Sequence, residues 1–485
     1  RRKWWMDLCA KEAWQELEQQ SELKAKIAQD NWRLYFHLMP ETGWMNDPNG
    51  LCQFNGVYHF YHQYVPQNPA GKEAPHWGHK TSTNLVDFKE EAIFLSPEHS
   101  YDRNGVFSGS AIVKDDQIHF FYTGNVKNEG DHDYTFSGRE QNTVHVISDG
   151  YSIEKQEVVI PHEAYPAGFT DHIRDPKVFE KEGRYYMILG ARTRESEGKI
   201  LIYQSEDLSQ WTYQGIFLGD DYSLGYMWEC PDFFQLDGQD ILLFSPQGVD
   251  PQAYAFNNLY QSGYLLGEVD WKNLKFKPTS DFVELDRGFD FYAPQTFLDQ
   301  KGRRLLWGWM GLGDTSPEYS NPTVTRGWQH AATLPRELSF NGQRLIQQPL
   351  PEYQKLRGKP FFWNVELKDS VTAPKLAGEV YELQVELTQQ TKNLQLLLRQ
   401  DTILSYDGHI FTLSHGPSGY GRKKRSIQLS ELRQIQLFMD TSSMEVFINN
   451  GEYTFTSRLY PQKEQDQIVF SGTGRLAIQL WPFSN

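Results

Sequence analysis

Three acidic residues lie in short motifs far apart along the chain: Asp47 in Trp44-Met45-Asn46-Asp47-Pro48-Asn49-Gly50, Asp175 in Arg174-Asp175-Pro176, and Glu229 in Trp228-Glu229-Cys230-Pro231-Asp232. A lone acid beside a turn is ordinarily a cap or a solvated residue. Three at corresponding places of a repeat are not. Carboxylates with aromatic neighbours and no His or Cys cluster suit acid, base and nucleophile work on a neutral polyol better than a metal site. No metal and no cofactor is expected. The chain also carries 14 Trp, 26 Tyr and 30 Phe in 485 residues, rings that can stack on sugars or simply fill a β core.

The elements that must bring these acids together are legible as an internal repeat. Each copy is a polar motif, a strand, a tight turn and a second aromatic strand, and the copies begin at Asn46, Phe107, Arg174, Glu229 and Ala293. The turns fall at Asn55-Gly56, Asp115-Asp116, Glu182-Gly183, Asp237-Gly238 and Lys301-Gly302, mostly with the glycine that hairpin turns favour. Five four-stranded units predict an all-β chain with a five-bladed β-propeller, its motifs converging at one mouth of a central channel. The expected division is an N-terminal helical extension at 1–32, the propeller at 33–341, a Pro-containing linker at 342–364 and a C-terminal β-sandwich at 365–485. In the extension Trp4 with Leu8, Trp14 with Leu17 and Leu23 with Ile27 recur at helical spacing.

The balance of 47 Lys and Arg against 63 Asp and Glu, a net charge of -16, disfavours nucleic acid and anionic membranes as partners. Cys9, Cys52 and Cys230 are too few to staple a chain of this length, so reduced thiols are expected. Charges interrupt every apolar run of the first twenty residues, and no segment reaches transmembrane length. A cytoplasmic location is the expectation; the oligomeric state stays open, a homodimer included.

The WMNDPNG, Phe107-Ser108-Gly109-Ser110, Arg174-Asp175-Pro176 and Trp228-Glu229-Cys230-Pro231-Asp232 motifs resemble, in order, those of glycoside hydrolase family 32, which holds invertases, sucrose-6-phosphate hydrolases, inulinases and levanases. The likeness runs from about residue 35 onward and includes LPREL at 334–338 and DTSSMEVFINNGEYTFTSR at 440–458. It implies a propeller followed by a β-sandwich, with Asp47 as nucleophile, Glu229 as acid/base and Asp175 as the acid that holds the ring hydroxyls. It also places Trp44, Asn46, Gln63, Trp77, Phe107, Ser108, Arg174 and Trp309 around a fructosyl unit. Cys230, beside the acid, reads as a small packing residue.

The implied reaction is retaining hydrolysis of a terminal β-D-fructofuranosyl bond, with sucrose 6-phosphate or sucrose as substrate. In the loop VPQNPAGKEAPH and just after it, Lys72, His76, His79 and Lys80 are candidates to hold a phosphate on the leaving glucose. Hydrolysis of short fructo-oligosaccharides and fructosyl transfer are the alternatives within the family. A sugar-binding propeller without activity is the alternative outside it, and it could have lost one of the three acids.

Overall fold

Turn chemistry sets the blades. Both central residues lie at positive φ in Asn55-Gly56, Asp115-Asp116, Glu182-Gly183 and Asp237-Gly238, the geometry whose twist suits a two-residue hairpin. In Lys301-Gly302 only the glycine does. The structure, a computed structural model, describes residues 18–315, 318–369, 376–387 and 391–483. It contains five antiparallel blades whose first strands are Gly43–Phe54, Val106–Lys114, Phe169–Lys181, Met227–Leu236 and Tyr292–Leu298. Each first strand packs against that of the next blade and the fifth against the first, closing a ring. Trp328–Gln329 adds to Gly43–Trp44 as a parallel pair, so chain from the fifth repeat joins the first blade.

All five first strands carry the same irregularity near their start. Met45 to Pro48, Val106 to Gly109, Arg174 to Lys177, Glu229 to Asp232 and Tyr292 to Gln295 each carry one residue more than the partner stretch opposite. Such bulges re-aim side chains at a barrel rim. Asp175, Cys230 and Ala293, the second residues of three of these bulges, sit at φ 66, 48 and 49. Each precedes a proline. Non-glycine residues held there cost on the order of 1–3 kcal/mol, a strain found chiefly at functional sites.

The fifth blade runs past the expected boundary at 341, because Leu345–Pro349 pairs with Arg336–Phe340 across an Asn341-Gly342 turn. Phe361–Lys368 already pairs with the sandwich strand Gln467–Pro482, which shortens the connecting stretch from both ends. That 16-residue strand is shared between layers: Ile468–Thr473 pairs with Asn393–Leu398, and Leu476–Pro482 with Tyr381–Leu387. Gly472 and Gly474, at φ 124 and 147, let it turn between the two. The N-terminal expectation is met only in part. Residues 18–28 are helical and Ile27 packs on Trp32, Trp328 and Tyr460, but Leu23 is 51% exposed and forms no buried pair with it. Trp4, Leu8, Trp14 and Leu17 lie outside the described residues.

LPREL and DTSSMEVFINNGEYTFTSR prove to be two sides of one buried seam between propeller and sandwich. Arg336 donates to Glu445 at 2.8 Å and to Asp286 at 3.3 Å, while Arg422 grips Asp290 with two 2.8 Å bonds. His37 lies between Asp440 at 2.7 Å and Glu445 at 2.6 Å. Burial opposes its charge, but the two carboxylates outweigh burial and raise its pKa to about 9. A folded-state pKa above the unfolded value of about 6.5 adds stability that is fully present below pH 6.5 and lost as pH rises through 9. The melting temperature is therefore expected to fall across that window. His37→Gln should remove most of the pH dependence, as thermal melts at pH 6 and 9.5 would show.

Candidate active site

The bulges explain how acids from three blades meet. Glu229 is the first residue of its bulge, Asp175 the second and Asp47 the third. The repeat therefore brings the three acids together from staggered positions, not from equivalent ones. They line a single cavity of about 620 Å³, within the range of small-molecule sites.

Asp47 Oδ2 accepts from Ser108 Oγ at 2.6 Å, and its Oδ1 from Asn46 Nδ2 at 3.1 Å; Asn46 in turn accepts from the Trp44 indole at 2.8 Å. Asp175 Oδ2 accepts from the Cys230 backbone N–H at 3.0 Å. Glu229 is the most heavily bonded of the three. Its Oε2 takes Arg174 Nη2 at 2.8 Å and Nε at 3.1 Å, and its Oε1 takes Gln247 Nε2 at 2.7 Å and Tyr292 OH at 2.8 Å. Arg174 is aimed by His172, whose Nδ1 accepts from Nη1 at 2.6 Å while Nε2 donates to the Tyr134 carbonyl at 3.1 Å. Burial and the surrounding arginines push His172 down to about 2, so it is neutral and serves as an acceptor.

Of the residues expected around the sugar, Trp44, Asn46, Gln63, Phe107, Ser108, Arg174 and Trp309 line the cavity together with the three acids. Trp77 does not. It is fully buried in the core cluster of the first two blades and reaches the site only through its indole N–H, which donates to the Phe107 carbonyl at 3.0 Å. Gln63 likewise spends its amide on the Val106 carbonyl at 2.8 Å. Of the four candidate phosphate residues only Lys72 lines the cavity. His79 is buried in a stack with Tyr61 and His59, Lys80 is paired with Glu90, and His76 bonds Ser96 at 3.1 Å. Alternation along His76–Ser82 sets His79 on the face opposite His76 and Lys80, and neither face lines the cavity.

Cys230 packs beside the acids, its Sγ 3.5 Å from Asp47 Oδ2 and 3.6 Å from Asp175 Oδ2. Burial and three neighbouring carboxylates drive its pKa far up, so it is a neutral thiol and a poor nucleophile. Tyr292, Gln247 and His172 escaped the sequence reading. Tyr292 had a signal: it immediately precedes the fifth copy of the repeat, in the bulge position that Arg174 and Glu229 occupy in theirs.

With this geometry in view, the comparisons with known proteins are direct. The model of the glycosyl hydrolases family 32 N-terminal domain matches residues 37–349, and that of the family 32 C-terminal domain residues 352–482. The chain belongs to glycoside hydrolase family 32. It is similar to a sucrose-6-phosphate hydrolase of Bacillus subtilis (strain 168), 39% identical over 95% of this chain and 96% of that one. Among solved structures it resembles a sucrose-6-phosphate hydrolase from Lactobacillus gasseri, with a TM-score of 0.86 and 28% identity over 96% of both chains. A mutant of a Bombyx mori family 32 beta-fructofuranosidase, in complex with sucrose, superposes with a TM-score of 0.81 at 29% identity over 97% of this chain and 98% of that one.

In this family 32 hydrolase the three acids share one cleft. Burial raises the pKa of Asp47, against the hydrogen bond from Ser108. Burial also lifts Asp175, to about 7, with Glu229 and Asp47 adding to the rise and Arg174 opposing it. Asp175 and Asp47 thus hold a shared proton more readily than free carboxyls do, and that titration belongs to the pair and not to one residue. Loss of the Asp175 proton removes a hydrogen-bond donor to the sugar and adds a charge beside Asp47, so kcat/KM is expected to decline as pH rises through about 7. An initial-rate profile on sucrose from pH 5 to 9 checks it; a flat alkaline limb would contradict the shared proton.

Proposed function

We propose that this hydrolase cleaves the terminal β-D-fructofuranosyl bond of sucrose 6-phosphate, and more slowly that of sucrose, with retention of configuration. Asp47 attacks the anomeric carbon, Glu229 protonates the departing glucosyl oxygen, and water then releases fructose from Asp47 with Glu229 acting as base. Asp175 and Arg174 hold ring hydroxyls, and Trp44, Phe107 and Trp309 supply flat faces for the sugar. The observation that carries this reading is the meeting of three bulge carboxylates in one cavity. The names of the similar proteins support the phosphorylated substrate.

Among the described residues no helix is long and apolar enough to cross a membrane. A cytoplasmic setting goes with the proposed substrate, because a sugar carrying a charged phosphate does not pass unaided through a bilayer. The test is a comparison of kcat/KM for sucrose 6-phosphate, sucrose and a short inulin oligomer under one set of conditions. Sucrose 6-phosphate is expected to lead. Equal values for the first two would defeat the phosphate reading, and a lead for the oligomer would turn the enzyme into a fructan hydrolase.

A further inference from the structure

The cavity is electrically lopsided. Beside Tyr260 and Trp309 the charged lining group beyond the acid trio is Asp314, which accepts from the Tyr260 hydroxyl at 3.0 Å, while Lys72 and Glu73 lie in the loop that runs from Trp44 to the second blade, where the Pro75 carbonyl accepts from Val106. On the second-blade side they are Lys127 and Arg139, flanked by Asn104 and Asn125 and continuing into His172 and Arg174. Lys127 and Arg139 face one another as the last cross-strand pair of Gln117–Lys127 and Arg139–Ser148. Like charges set directly opposite in a sheet are destabilising. Burial, with Arg174 adding to it, lowers the pKa of Arg139 to about 10. Burial lowers that of Lys127 too, and Arg139 adds to the effect.

The groups around this pair compensate it only in part, with Asp171 opposing the fall in the Arg139 pKa. Arg139 spends Nη1 on Asn125 Oδ1 at 2.9 Å, and its Nε is buried without a partner. Asp171, the acid that faces Arg139, is occupied by the Arg139 backbone N–H at 3.2 Å and by His162 at 3.6 Å. Lys127 is exposed and rests 5.5 Å above the Tyr134 ring. The cations run in a row from the bound acid outward: Glu229 to Arg174, Arg174 beside Arg139, Arg139 beside Lys127.

We propose that the paired Lys127 and Arg139 side chains, at the cavity rim on the second blade, bind the phosphate of the leaving glucose 6-phosphate. This rests on the substrate reading above and replaces the loop around Lys72 as the phosphate site. A phosphate dianion turns the repelling pair into an asset, since the Arg139 fork and the Lys127 ammonium can both donate charge-assisted bonds to it. The acidic side of the cavity would repel the same group.

The experiment begins with the wild-type ratio of kcat/KM for sucrose 6-phosphate over sucrose at low salt. A ratio near one overturns the substrate reading itself. Given a clear preference, Lys127→Ala and Arg139→Gln are each expected to lower the ratio about tenfold through KM, as for the loss of one charge-assisted contact. Lys72→Ala should shift it far less. Inhibition by glucose 6-phosphate should lose its advantage over inhibition by glucose in the same two variants. A preference that survives in both, while each still hydrolyses sucrose, overturns this assignment and leaves the substrate reading standing. Loss of the preference in Lys72→Ala alone returns the phosphate to the loop. Lys127 is exposed at a strand end, so Lys127→Ala tests the wall even if Arg139→Gln does not fold.

Discussion

Asp47→Asn is expected to reduce turnover by about 10⁴-fold to 10⁶-fold, the scale seen when a covalent nucleophile is removed without a change of size. The protein should fold. Ser108 Oγ can bond an amide as it bonds the carboxylate, and Asn46 keeps its contact with Trp44. Because the folded protein raises the pKa of Asp47, its ionised form is less favourable in the native state than in the unfolded chain. Removing that charge should leave the melting temperature at pH 8 equal to or above that of the wild type. Stability gained with catalysis lost is the mark of an acid kept for chemistry. Near-normal rates in a folded Asp47→Asn protein would end the assignment of Asp47 as nucleophile.

The architecture was legible because its signals are local. Asn55-Gly56 or Asp237-Gly238 between two aromatic runs dictates a hairpin wherever it occurs, and five such units leave few ways to bury their faces. What stayed hidden depends on register. The three acids look equivalent in an alignment of motifs, yet Glu229, Asp175 and Asp47 occupy successive bulge positions, and a bulge shows only once strands are paired. Trp77 could not be told from Trp44 by residue type, since a tryptophan fills a core or floors a sugar site equally well. Its neighbours in the paired strands decide, and they are Tyr61, Phe120 and Tyr122. Lys127 and Arg139 are separated by an excursion of the chain at 128–138, so their confrontation is invisible until the two strands meet. The early end expected for the propeller has a different cause: Pro349, Pro351 and Pro360 mark a linker in the sequence and outweigh the hairpin signal of Asn341-Gly342.

Glu229→Gln separates proton donation from everything else the site does. On sucrose, whose leaving oxygen needs a proton, kcat/KM is expected to fall by about 10²-fold to 10⁴-fold. On an aryl β-fructofuranoside with an acidic phenol as leaving group, the loss should be within about tenfold, because little protonation is needed at the transition state. The surroundings tolerate the change. The amide oxygen can still accept from Arg174, Gln247 can reverse its own amide to receive the new N–H₂, and the Tyr292 hydroxyl already has the Ser245 carbonyl 3.3 Å away. The activated substrate should accumulate a burst of phenol, since the fructosyl-enzyme still forms at Asp47 while its hydrolysis lacks the base. Equal losses on both substrates would mean that Glu229 is not the proton donor; its ion pair with Arg174 would then be its main contribution, and Arg174→Lys should reproduce the Glu229→Gln defect on both substrates alike.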